Sequence, residues 1–166
     1  MRQLWAPWRM PYLRGEQPHV EGCVFCRKLD AVDADEHVLY RGEHSFAVLN
    51  RYPYSNGHLM VVPSAHVASL RDLGQSVVLE MMWLVQQSER ILISKLGPEG
   101  FNVGINEGRA AGAGIEEHLH IHVVPRWEGD ANYMTVIAET RVIPELLSAT
   151  YDRLAPAFAE FKRSSG

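Results

Sequence analysis

The sequence predicts an α+β domain in which a meander of short strands carries one long inserted helix, with a second helix near the C-terminal end. Three observations point there. Apolar runs bounded by turn residues recur at 37–41, 44–50, 58–63, 101–106 and 118–125. Apolar residues at three- and four-residue spacing fill the stretch from about 72 to 96. The strands follow one another without the intervening helices that alternating βαβ units require.

"HVLYR" (37–41), Gly42 and "HSFAVLN" (44–50) read as two strands around a tight turn. "YPYSNG" (52–57) is a loop, because Pro53 and Asn56-Gly57 supply turn chemistry, and "HLMVVP" (58–63) follows as a third strand. Val77, Met81, Leu84, Val85, Ile91, Leu92 and Leu96 form the helical stripe, which Gly97-Pro98 stops. Val78, Met82 and Trp83 widen that stripe beyond one core contact, so a second covered face, such as a dimer interface, is expected. "FNVGIN" (101–106) is a fourth strand, "EGRAAGAGIEE" (107–117) a glycine- and alanine-rich connection, and "HLHIHVVP" (118–125) a fifth strand. After a loop at "RWEGDANYM", a helix from Pro144 to about Phe161 repeats through Leu147, Tyr151, Leu154 and Phe158, with a kink expected at Pro156. Residues 1–21, with three prolines and the aromatics Trp5, Trp8 and Tyr12, read as an irregular arm, and 22–166 as one domain with a C-terminal helical extension.

With 46% hydrophobic and 22% charged residues the chain has the make-up of an ordinary globular protein, which sets aside disordered and fibrous classes. A formal net charge of −4 gives no general attraction to nucleic acid or anionic lipid, so phosphate chemistry needs a local site. The opening "MRQLWAPWRMPYLRG" lacks the apolar core of a secretory signal, and no apolar run reaches membrane-spanning length, so the expected location is cytoplasmic.

The chemistry concentrates in "HLHIHVV" (118–124), which holds three of the eight histidines. On a strand, His118, His120 and His122 share one face at roughly 6.6 Å spacing, while Leu119, Ile121 and Val123 turn to the core. That spacing is too wide for three ligands of one ion, whose bonds to nitrogen are about 2.0–2.1 Å, so the row divides its labour. Neutral imidazole is a competent nucleophile at phosphorus near neutral pH, and two neighbours can donate to the phosphoryl oxygens or protonate a leaving group. The glycines of "NEGRAAGAG" let backbone amides approach an oxyanion beside that face.

Cys23 and Cys26 are the only cysteines, and their CxxC spacing suits either metal ligation or redox chemistry. "GCVFC" lacks the usual strand–CxxC–helix setting of a redox motif, and two further ligands are at hand in His66, just beyond the third strand, and His118. His58, Asn50 and Asn106 stand at strand ends, where both turn-making and function are open. Trp127 with Arg126 either stacks on a base or packs against the sheet.

"GAGIEEHLHIHVVPRW" resembles the motif of the histidine triad (HIT) family, His-φ-His-φ-His-φ-φ with φ apolar, and "FAVLNRYPYSNGHLMVVPSAH" (46–66) resembles its first conserved block. The likeness spans about residues 22 to 127. "LWAPWRMPYL", "GCVFC" and "VVPRWEGDANYM" are most similar to the bacterial diadenosine tetraphosphate phosphorylase and hydrolase branch. The resemblance implies a five-stranded antiparallel sheet and a homodimer built through the long helix and an extended sheet. It implies that His120 attacks the α-phosphate of a nucleotide and carries the nucleoside monophosphate as a phosphoramidate, which water or phosphate then releases. His122 and His58 would surround the phosphates, and Asn50 and Asn106 would contact ribose and phosphate. Cys23, Cys26, His66 and His118 would hold a structural Zn2+. This chain departs from the family at Gly114, Ile115 and Glu116, where a Gln followed by Ser or Thr is common; amides around Gly112 and Gly114 would stand in for that hydroxyl. A phosphoramidase and a non-catalytic nucleotide-binding adaptor are the alternative functions.

Overall fold

The protein is described from a computed structural model, over residues 22–130 and 145–164, with side chains to residue 160. The arm at 1–21, the loop beyond residue 130 and the Phe161 side chain lie outside the described residues. Two single-turn helices, α1 (Cys26–Leu29) and α2 (Asp33–Glu36), lead into β1 (Val38–Arg41), β2 (Ser45–Leu49) and β3 (Leu59–Pro63). The long helix α3 (Gln75–Leu96) follows, then the hairpin strands β4 (Gly100–Ile105) and β5 (Ile121–Arg126), and helix α4 (Leu147–Ser164). All neighbouring strands are antiparallel, in the order β1-β2-β3-β5-β4.

Strand alternation sorts the sheet into two covered faces. Ala47, Leu49, Leu59, Val61, Ile121 and Val123 pack with Met81, Leu84, Val85 and Leu92 of α3 and Leu154 and Phe158 of α4. On the opposite face Phe46, Val48, Met60 and Val62 pack beneath Phe25. Because both faces are closed, every residue of β2 and β3 is buried. Full burial of a large apolar side chain such as Leu154 or Phe158 contributes about 1.5–3 kcal/mol.

Helix α3 ends as the sequence predicts: Gly97 takes the left-handed conformation (φ 62°) and its N–H bonds the Ile93 carbonyl at 3.1 Å. Its start falls at Gln75 rather than near 72, since Leu70–Asp72 form a separate 3-10 turn. Trp83 is drawn to Tyr40, with ring centroids 6.2 Å apart, whereas Leu79, Met82 and Ile93 are the exposed apolar residues of the helix. Helix α4 begins at Leu147 and continues through Pro156. In the second turn of α3, Glu80 accepts hydrogen bonds from Ser45 N (2.8 Å), Ser45 Oγ (2.7 Å) and His44 N (3.0 Å), which ties the β1–β2 turn to the helix. A side chain at Gly42 would collide with that carboxylate.

The histidine stretch needs one correction. The ladder of β5 starts at Ile121, so His118 and His120 precede the strand. The Leu119 N–H bonds the Val67 carbonyl at 2.7 Å, in the loop after β3, instead of a ladder partner. The alternation nevertheless persists: Leu119 is buried, Ile121 and Val123 pack on the helix side, and His118 and His120 lie against Phe25.

Candidate functional site

The site stands at the centre of the sheet. His122 is flanked by Met60 of β3 and Gly104 of β4. His118 and His120 are buried, and His122 is half-buried.

At one end of the row, Cys23, Cys26, His66 and His118 converge, each offering one donor atom, with all four donors within 4.8 Å of one another. His118 Nδ1 lies 3.2 Å from Cys23 Sγ and 3.7 Å from Cys26 Sγ, and His66 Nδ1 lies 3.2 Å from Cys26 Sγ. Bonds of about 2.0–2.3 Å to a tetrahedral ion place its ligands about 3.3–3.8 Å apart, so this set fits a zinc-sized cation. The orientation fits too. His118 Nε2–H donates to the Pro63 carbonyl at 2.8 Å, which fixes the tautomer that presents the Nδ1 lone pair to the sulfurs. Burial first, and then the adjacent Cys23, push the Cys26 thiol above its ordinary pKa; coordination of a cation reverses that preference.

His120 is governed by its neighbours on either side. Its Nδ1 lies 2.9 Å from the His118 carbonyl, which can only accept, so Nδ1 carries the hydrogen and Nε2 carries the lone pair. Burial holds the imidazole below its ordinary pKa, an effect that the bond to the carbonyl partly offsets, so the neutral form prevails near neutral pH. Its ring stands edge-on to His122, with centroids 4.8 Å apart.

A chain of donors reaches His122 from the far side. The Tyr54 N–H donates to His58 Nδ1 at 3.0 Å, so neutral His58 keeps its hydrogen on Nε2. That Nε2 lies 3.0 Å from His122 Nδ1 and donates to it, which leaves His122 with its hydrogen on Nε2. His122 is thus a hydrogen-bond donor even when uncharged. Asn50 Nδ2 lies 3.4 Å from His58 Nε2, a donor facing a donor, and Asn50 Oδ1 accepts the Tyr52 N–H at 2.8 Å. The Asn50 side chain thus closes a turn onto its own backbone two residues on.

The remaining predicted residues stand farther out in the network. Asn106 is half-buried at the exit of β4, beside Glu107, whose carboxylate binds Ser69 and Leu70. Within the connection, Gly112 N bonds the Arg109 carbonyl at 3.0 Å and Ala113 N the Gly108 carbonyl at 3.3 Å, so both amides are spent on the loop's own turn. His120 bonds the His118 carbonyl and not Gly112 or Gly114. Ile115 packs against the apolar cluster under Phe25. The Trp127 indole N–H donates to the Gly97 carbonyl at 3.1 Å, which joins it to the end of α3.

Two residues went unrecognised in the sequence. Tyr54 stacks on His58 with centroids 4.8 Å apart and planes 17° from parallel. Its signal is an aromatic inside a turn, four residues before a histidine. Phe25, inside the CxxC itself, is 1% exposed and touches both His118 and His120; an apolar residue between two cysteines gives no sign of what it faces.

The HIT domain family model matches residues 31–129. The chain is 42% identical to AP-4-A phosphorylase of Mycobacterium tuberculosis (strain ATCC 25618 / H37Rv), over 96% of this chain and 85% of that protein. Among solved structures, a Zn-bound histidine triad family protein from Mycobacterium smegmatis superposes with a TM-score of 0.68 at 30% identity, covering 86% of this chain and 96% of that one. Diadenosine triphosphate hydrolase of Plasmodium falciparum, in complex with Cyclomarin A, shares the fold at a TM-score of 0.60 and 17% identity, covering 78% of each chain.

Proposed function

Because the chain belongs to the HIT domain family, we propose that it is an enzyme of nucleotidyl transfer, acting at the α-phosphate of dinucleoside polyphosphates through a covalent nucleotidyl-histidine. The observation that carries this reading is the tautomer pattern: a neutral, buried His120 with its lone pair on Nε2, beside a His122 whose Nε2 holds a hydrogen. His120 Nε2 forms a bond to the α-phosphorus as the bond to the bridging oxygen breaks, the polyphosphate departs as its anion, and His122 Nε2–H donates a hydrogen bond to the departing oxygen. His58 Nε2–H, bonded to Nδ1 of His122, holds His122 in the tautomer that keeps this donor on Nε2. In the second step phosphate or water attacks the phosphoramidate and frees His120. The similarity to AP-4-A phosphorylase supports diadenosine tetraphosphate as substrate and phosphate as acceptor. Asn50, Asn106 and Gly114 then serve as nucleotide contacts, with Gly112 shaping the loop that carries Gly114.

The four donors Cys23, Cys26, His66 and His118 hold a structural Zn2+, a reading supported by their geometry and by the Zn-bound relative. Zinc there supplies a cross-link between the 23–26 segment and the sheet. Two unbridged cysteines facing imidazoles suit a reducing, cytoplasmic compartment, and no helix of the described residues is long and apolar enough to cross a membrane. A homodimer would cover the exposed Leu79, Met82 and Ile93 of α3 and the edge strand β4, where Val103 is exposed.

The test is product analysis on diadenosine tetraphosphate. ATP with ADP, formed only when phosphate is supplied, establishes the phosphorylase; ATP with AMP in water establishes the hydrolase. Turnover of a nucleoside phosphoramidate alone, or AMP binding without turnover or adduct, would overturn the reading. In light scattering a monomeric mass would remove the dimer.

A further inference from the structure

Phe25 stands where the cation ligands and the proposed nucleophile meet. It lies between Cys23 and Cys26, is 1% exposed, and sets its ring against His118 (centroids 5.3 Å apart, planes at 70°) and against His120 (5.1 Å, 50°). Behind it stand Val38, Phe46, Val48, Met60 and Val62. The His120 imidazole is held at one edge by the bond from Nδ1 to the His118 carbonyl. That bond alone leaves the ring free to tip about its direction, and a tilt moves Nε2 away from the line of attack. A ring packed against the imidazole at a tilt of 50° restricts that freedom. The Phe25 backbone, in turn, is anchored on both sides by cysteines whose sulfurs lie against histidine nitrogens.

We propose that Phe25 is a positioning residue for His120, and that a metal held by Cys23, Cys26, His66 and His118 acts on the nucleophile through it. The cation fixes the 23–26 segment, the segment fixes the Phe25 ring, and the ring fixes and shields the imidazole. This rests on the reading of His120 as nucleophile. It gives the metal a consequence for rate although it touches no reacting atom.

The experiment uses the full-length, metal-loaded protein and the variants Phe25→Leu, Phe25→Ala, Cys26→Ser and the double variant Phe25→Ala with Cys26→Ser. Metal content, kcat and KM are measured, together with the rate at which diethyl pyrocarbonate acylates His120, followed by peptide mass spectrometry. Phe25→Ala is expected to retain its metal and its KM within about twofold, to lose about 30- to 100-fold in kcat as a displaced reacting group does, and to acylate faster at His120. Phe25→Leu should recover most of both. Cys26→Ser should lose metal and reproduce the exposure of His120, and the double variant should be no worse than Phe25→Ala, because both changes act through one element. Unchanged acylation and kcat in Phe25→Ala and Phe25→Leu, or losses that multiply in the double variant, would overturn the proposal. Acylation needs no nucleotide, so a wild-type protein that forms no adduct would refute the nucleophile reading while the shielding of His120 by Phe25 is still measured.

Discussion

The two ends of the histidine row are built for opposite purposes from the same side chain. At the His118 end the ring is buried, its Nε2 is tied to the Pro63 carbonyl and its Nδ1 meets two sulfurs. At the His122 end the ring is half-buried and meets another imidazole, that of His58, at 3.0 Å. One end gives its lone pair away and the other keeps a hydrogen to donate. The residue type and the two-residue spacing are identical, so the difference comes from the acceptor or donor that each ring finds. His120 takes a backbone bond from the first end and an edge-on ring contact from the second.

If that division holds, substitutions at the two ends separate into different measurements. The largest effect belongs to the residue between them. His120→Ala should lower kcat by about 10⁴-fold or more and abolish the adduct seen by intact-mass analysis, as loss of a nucleophile does. His122→Ala should lose about 10²- to 10³-fold in kcat, with a melting temperature close to that of the parent in a thermal scan, since it removes a hydrogen-bond donor to the departing group and not a core contact. His58→Gln should cost less, about 10-fold or somewhat more, because it acts only through His122. At the other end, Cys23→Ser or chelation should be read first in stability: a loss of about 3 kcal/mol, or about 6–12 °C, in differential scanning calorimetry, accompanied by loss of metal. A Cys23→Ser protein that melts like the parent would erase the contrast. The smallest effect expected is that of Trp127→Phe, which loses the bond to the Gly97 carbonyl and about 1 kcal/mol with KM unchanged.

Much of this contrast was legible in the chain. The strand and helix pattern predicted each sheet strand and the two long helices, and the chemistry of cysteine and histidine picked out the four residues that the fold brings within reach of one ion. What stayed hidden depended on partners distant in sequence. The strand could not be seen to begin at Ile121, because the Leu119 amide is claimed by Val67, and nothing local announces that bond. Helices α1 and α2 are too short to show a period. His37 adopts φ 55°, a left-handed conformation that histidine enters more often than most side chains but too rarely for its presence at 37 to announce it. The tautomers of His58 and His122 follow from the Tyr54 amide, which any residue but proline would have supplied.

The clasp between Glu80 and the β1–β2 turn has a consequence for inheritance. Thirty-eight positions separate Gly42 from Glu80, yet a carboxylate fills the space that a side chain at 42 would need, and the same carboxylate receives the Ser45 and His44 amides. A lineage that replaces Glu80 loses the clasp, and one that adds a side chain at 42 must displace the carboxylate and press on the Ser45 carbonyl. Among descendants of this sequence the two positions should drift as a pair, and a glycine that looks like an ordinary turn residue would owe its persistence to a helix far along the chain.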